Sequence, residues 1–139
     1  MQPWDRNSPD VSKMTPDKEK ARSLLRIVAL REKDLKTKSE EFTTLIVEGY
    51  YEIVKELITA ILSLDGYKTV SHELLIGYLA EYHKEFSSAQ IMTIDKLRIA
   101  RNDIAYRGVM IKPDYLARNK TEILEIISKL KEIVVRRTR

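Results

Sequence analysis

The chain contains no cysteine. That excludes disulfides, thiolate metal sites and a cysteine nucleophile. Two histidines are too few for most zinc centres without carboxylate help, so neither a metal nor another cofactor is expected. Only four glycines and four prolines occur in 139 residues, which leaves long stretches where helices can run without a break. No apolar run approaches the ~20 residues that a membrane-crossing helix needs. The opening M-Q-P-W-D-R-N-S-P-D has no apolar core of the kind a secretory signal carries. These absences lead to the expectation of a soluble, cytoplasmic protein with no membrane partner.

The composition is that of a globular helical protein, with 43% hydrophobic and 33% charged residues. The length fits one domain. The net charge of +4 hides an asymmetry. Residues 39–95 carry three Lys/Arg against ten Asp/Glu and stand at −7, whereas residues 96–139 carry twelve against five and stand at +7. A basic third beside an acidic one suits a polyanion, self-association or an acidic partner. It equally suits a bundle whose segments complement one another.

Hydrophobic spacing predicts five helices and no strand. Residues 1–14 hold two prolines, a lone Trp4 and no periodicity, and read as a loose tail. Thr15-Pro16-Asp17 is a helix start. Ala21, Leu24, Leu25, Val28 and Leu35 follow as one stripe to about Lys36. Ser39-Glu40-Glu41 opens a second helix. Its stripe is Phe42, Ile46, Gly49, Ile53, Leu57, Ile61 and Leu64, and it ends at Asp65-Gly66. Ser71 caps a third helix with Leu75, Tyr78, Leu79, Tyr82 and Phe86 inward. A fourth helix begins between Ser88 and Thr93, with Ile94, Leu97, Arg101 and Ile104 on one face and Gly108 as its stop. Lys112-Pro113-Asp114 opens a fifth, whose apolar face is Leu116, Ile123, Ile127, Leu130 and Val134. Short loops between these helices predict an all-α, antiparallel up-and-down bundle over residues 15–136, followed by a basic tail at 137–139.

The segment Leu97–Gly108, L-R-I-A-R-N-D-I-A-Y-R-G, stands apart from this ordinary pattern. An arginine on the inner side of a helix is expensive to desolvate and calls for an anion or a carboxylate. Arg101 supplies a planar cation suited to phosphate, Asn102 both donates and accepts, and Arg98 and Arg107 add charge nearby. Tyr106 can stack on a base or donate its hydroxyl. Five helical steps of ~100° set Arg101 and Tyr106 well apart, so they meet only across a groove or against a second subunit. The competing reading pairs Arg101 with an acid of the second helix, such as Glu48, Glu52 or Glu56, and gives Tyr106 only a contact at the helix end.

R-N-D-I-A-Y-R-G, the Y-R-G-V and K-P-D-Y-L that follow, and the final amphipathic helix resemble the HEPN family (higher eukaryotes and prokaryotes nucleotide-binding). The resemblance spans roughly residues 16–135. It implies a dimeric all-α bundle. Many members are metal-independent endoribonucleases, and others partner minimal nucleotidyltransferases in toxin–antitoxin pairs. The family motif is an arginine, a polar residue, three more residues and a histidine. Arg101 and Asn102 match it, and Tyr106 stands where the histidine belongs.

That departure bears directly on chemistry. Histidine titrates near ~6.5 and tyrosine near ~10, so Tyr106 is a poor proton shuttle at neutral pH. The resemblance therefore implies an RNA- or nucleotide-binding domain, or a nucleotidyltransferase partner, with little catalysis. The alternatives are an active endoribonuclease using Arg101, Asn102 and Tyr106, and a plain helical interaction module. His72 and His83 both fall on the third helix. His83 is the better candidate for a substitute base or RNA contact, because Tyr82 and Phe86 set its neighbourhood near the core. The family dimer would have its seam on a mixed face of the second and fourth helices.

Overall fold

The computed structural model describes residues 1–139 and is an all-α bundle. Its helices are α1 (Lys18–Lys36), α2 (Thr43–Asp65), α3 (His72–Tyr82), α4 (Ser88–Arg107) and α5 (Pro113–Arg137). The apolar stripe of α2 explains its position. Fourteen of its residues are buried, from Thr43 to Leu64, and it touches each of the other four helices. Val28, Leu57, Ile61, Leu79, Leu97, Ile123 and Leu130 meet in one core around it. Burying each such side chain contributes about 1.5–3 kcal/mol.

Polar residues at the helix ends set where the helices stop and start. Ser71 caps α3 by accepting from the Leu74 amide at 3.2 Å. Ser87 and Gln90 form a reciprocal capping box on α4, which satisfies two amides that would otherwise lack partners. Gly66 and Gly108 close α2 and α4 in the left-handed conformation, at φ 85° and 64°. Gly66 is doubly required, since a Cβ there would lie 2.9 Å from the Met14 carbonyl oxygen. Gly49 admits close approach of α1, because a Cβ there would meet the end of Leu35 at 2.7 Å.

Several details depart from the sequence pattern. Helix α1 begins after Asp17, whose carboxylate accepts from the Lys20 amide at 2.9 Å. Thr15 and Pro16 lie outside it because the chain is held against the end of α2. There the Met14 amide donates to the Gly66 carbonyl at 2.9 Å and the Asp17 amide to the Ser63 carbonyl at 3.0 Å. Glu40–Phe42 form a single tight 3-10 turn before α2. Phe42 and Tyr82, expected inward, are 38% and 56% exposed.

The expectation of no strand is corrected by a small antiparallel ribbon. Strand β1 (Val11–Lys13) pairs with β2 (Tyr67–Thr69), Val11 opposite Thr69 and Lys13 opposite Tyr67. Three-residue strands leave no periodicity to read, so only the tertiary pairing defines them. Residues 1–14, which the composition marks as a loose tail, contain this strand. They also hold Trp4, whose ring sits edge-on to Tyr67 and Tyr78 at centroid distances of 5.6 and 4.9 Å. At the other end, Arg137 bonds Asp65 at 2.6 Å, and Arg22 donates to the Thr138 carbonyl at 2.6 Å. The basic end of the chain is therefore engaged with α1 and α2.

No helix is long and apolar enough to cross a membrane.

Candidate functional site

Helix α4 carries the polar segment because its own core contact is short. Only Ile91, Ile94 and Leu97 are buried. Beyond Leu97 the helix keeps only partial contact with the core, through Ala100 and Ile104, and Arg98, Arg101 and Asn102 lie half-buried. There they line a cleft of about 260 Å³ together with Val70, Ser71, His72, Glu73 and Tyr106. Arg101 and Tyr106, which diverge around the helix axis, thus share the walls of one groove.

The charges around this cleft are unevenly satisfied. Arg98 is tied to Asp95 at 2.9 Å. Of the three acids expected to neutralise Arg101, Glu56 is committed to Arg31 at 2.9 Å, and Glu48 forms no ion pair with it. Glu52 comes within 3.7 Å of Arg101 Nε but bonds Lys55 at 2.5 Å. Arg101 Nε is buried with no hydrogen-bond partner, the one such side-chain atom in the protein. The guanidinium otherwise reaches only Asn102 Oδ1, at 3.4 Å. A guanidinium has five N–H donors, and leaving them unmade inside a protein is costly. The ion-pair reading of Arg101 therefore holds only in part, and most of its donors remain available to an anion.

His72 is the site residue that sequence reasoning undervalued. It occupies the first turn of α3, after the Ser71 cap, and its ring lies 5.6 Å from that of buried Tyr51. Burial holds its pKa below the ordinary imidazole value, and the positive charges of Lys55, Arg101 and Arg98 act in the same direction against the opposing pull of Glu52. The α3 N-terminus has the same sign of effect. His72 is thus uncharged at neutral pH, with a lone pair free to accept a proton. Burial likewise raises the pKa of Tyr51, which stays a neutral phenol.

Two residues placed in the site by sequence lie outside the cleft. His83 sits at the C-terminal end of α3, 3.6 Å from Glu85 and beside Tyr78. Arg107 is exposed and bonds Asp103 at 3.4 Å. The neighbourhood of Tyr82 and Phe86 misplaced His83, because α3 stops at Tyr82 and the chain turns away. The signal for His72 was its adjacency to a strong cap, which fixes it in the first turn of a helix, where it is half-buried.

Larger hollows beside α1, α2 and α5 are lined by lysines, carboxylates, hydroxyls and apolar groups, with neither imidazole nor arginine. No group of three His, Asp or Glu side chains is placed to hold a metal ion.

No known protein family, characterised protein or solved structure matches this chain.

Proposed function

We propose that this chain is a HEPN-like domain that binds the phosphates of RNA or of a nucleotide in the cleft between α3 and α4. The observation that supports this most is the underpaired, half-buried guanidinium of Arg101 beside Arg98 and Asn102. Such a fork is built for two phosphate oxygens. Tyr106, 78% exposed at the cleft rim, offers an aromatic face to a base. The R-N-D-I-A-Y segment holds no imidazole to move a proton, so alone it is a binding device rather than a catalytic one.

The test is anisotropy of a labelled single-stranded RNA. Arg101→Ala is expected to weaken binding at least tenfold and to reduce the slope of log affinity against log salt by about one. Unchanged affinity and slope would return Arg101 to a purely structural role.

The resemblance also brings two protein partners, a second copy and a nucleotidyltransferase. An exposed stripe supports the first. Met92 and Ile99 lie seven residues apart on α4 and are 57% and 46% exposed. The α2 half of the expected seam is closed, since only Leu45 of that helix is exposed. A homodimer therefore joins through α4, which brings two clefts to its border. Ile99→Glu is expected to convert a dimer into a monomer in light scattering at tens of micromolar. A wild-type monomer there would exclude this seam.

A further inference from the structure

The two hollows beside α1, α2 and α5 share no lining residue with the cleft between α3 and α4. The first is a chamber of about 330 Å³, within the size range of small-ligand sites. Three helices bound it, and its floor is recessed, since Leu35, Tyr50 and Ile127 are buried. The second, of about 560 Å³, is polar, with the hydroxyl residues Ser39, Thr43 and Thr121 in its walls. The two share Lys38, Ile46, Leu116 and Lys120. Two lysines therefore stand where an apolar chamber opens into a polar vestibule.

The acids around these hollows are mostly engaged. Glu32, in the chamber wall, accepts from Lys131 through both oxygens, at 3.0 and 3.1 Å. Asp114, in the vestibule, faces Arg118 at 3.5 Å. Lys38 shares its charge with Asp34 at 3.4 Å, whereas Lys36 and Lys120 enter no ion pair or side-chain hydrogen bond of the fold. With these partners included, five cations (Lys36, Lys38, Arg118, Lys120, Lys131) face four acids (Glu32, Asp34, Glu40, Asp114), a surplus of one positive charge. The Tyr50 hydroxyl bonds nothing in the fold. Burial raises its pKa and Glu32 adds to the rise, so it stays a phenol with a proton to donate.

We infer that the chamber binds a medium-chain fatty carboxylate, its hydrocarbon chain among Leu35, Tyr50, Leu116 and Ile127 and its head at Lys38 and Lys120. The chain leaves water for an apolar floor, and each lysine ammonium can donate a charge-assisted hydrogen bond to the head. One carboxylate matches the surplus of one charge. A phosphate head fits less well, because the planar arginine forks that suit it are absent from both hollows and lie in the other cleft. A partner helix laid across α1 and α5 would cover the mouth without filling the recessed floor. The size of the chamber suits a single chain rather than a two-chain lipid. None of this depends on phosphate binding between α3 and α4.

The experiment is calorimetric titration of the full chain with decanoate, below its micelle concentration, and with decanol as the uncharged control. One decanoate per chain is expected to bind, about tenfold tighter than decanol, the difference that one charge-assisted hydrogen bond makes. Lys120→Glu should weaken decanoate by about tenfold or more and leave decanol unchanged. Lys33→Glu makes the same charge change at an exposed α1 residue outside both hollows, and should bind decanoate like wild type. Leu116→Trp should fill the chamber and weaken both ligands, with its helix content checked by circular dichroism. If that variant does not fold, the comparison of Lys120→Glu with Lys33→Glu decides alone. No decanoate binding by the wild type up to millimolar ligand overturns the proposal. So do decanol binding as tight as decanoate, and equal losses in Lys120→Glu and Lys33→Glu. Several decanoates per chain would mean adsorption to the surface and would overturn it as well.

Discussion

Leu97→Ala is expected to lower the stability of the fold by about 2–5 kcal/mol, the range for truncating a fully buried leucine. Leu97 is 1% exposed and is the last of the three buried side chains of α4, followed by partial contacts from Ala100 and Ile104. Its removal leaves a void at the point where full burial of the helix ends, one residue before Arg98. The same void loosens the turn that aims Arg98 and Arg101 into the cleft, so RNA affinity should fall together with stability. Lys96, the residue before Leu97 and exposed, provides the contrast. Lys96→Ala should stay within about 0.5 kcal/mol of wild type. Urea denaturation of both variants checks the pair. Equal midpoints would mean that α4 is not seated through Leu97.

This division of α4 explains which parts of the site could be read from sequence. Ile94, Leu97, Arg101 and Ile104 share a face at helical spacing, and the first two are indeed buried. Arg101 and Ile104 are only half-buried, because core contact beyond Leu97 is partial, which spacing does not record. Arg98, Arg101, Asn102 and Tyr106 could be found together because they belong to one helix. His72 could not, because it approaches through a tertiary route: the Gly66 turn, the three-residue β2 and the Ser71 cap. The acids showed the same limit. Three residues of α2 were equally placed to neutralise Arg101, and only the commitments of Glu56 to Arg31 and of Glu52 to Lys55 decide how much charge stays free.

The helices themselves were legible, since the period of apolar residues and the caps at Ser71, Gly66 and Gly108 are local. The N-terminal segment was not. Its two prolines and missing periodicity describe a chain with no regular structure of its own, yet such a chain can still be ordered by what it lies on. Here it lies on α3 and on the short ribbon.

Gly77→Ala puts that seating to a test whose sign is informative. Gly77 is buried within α3, and a Cβ there would lie 2.5 Å from the Gln2 carbonyl oxygen and 2.9 Å from the Trp4 amide nitrogen. Both neighbours are backbone, so the added methyl can be accommodated only by moving the segment. Moving it strains the edge-on contacts of Trp4 with Tyr67 and Tyr78, each worth about 0.5–1.5 kcal/mol. Forced overpacking of this kind typically costs about 1–3 kcal/mol. Against this, alanine is favoured over glycine in a helix interior by up to about 1 kcal/mol. A free tail would feel only that second effect and Gly77→Ala would stabilise the protein. A seated segment makes the variant less stable, by about 2 kcal/mol on balance. Trp4 is the only tryptophan, so its emission reports the same event independently and should shift to the red as the ring gains water. A stabilised variant with unchanged emission would mean that residues 1–4 do not rest on α3.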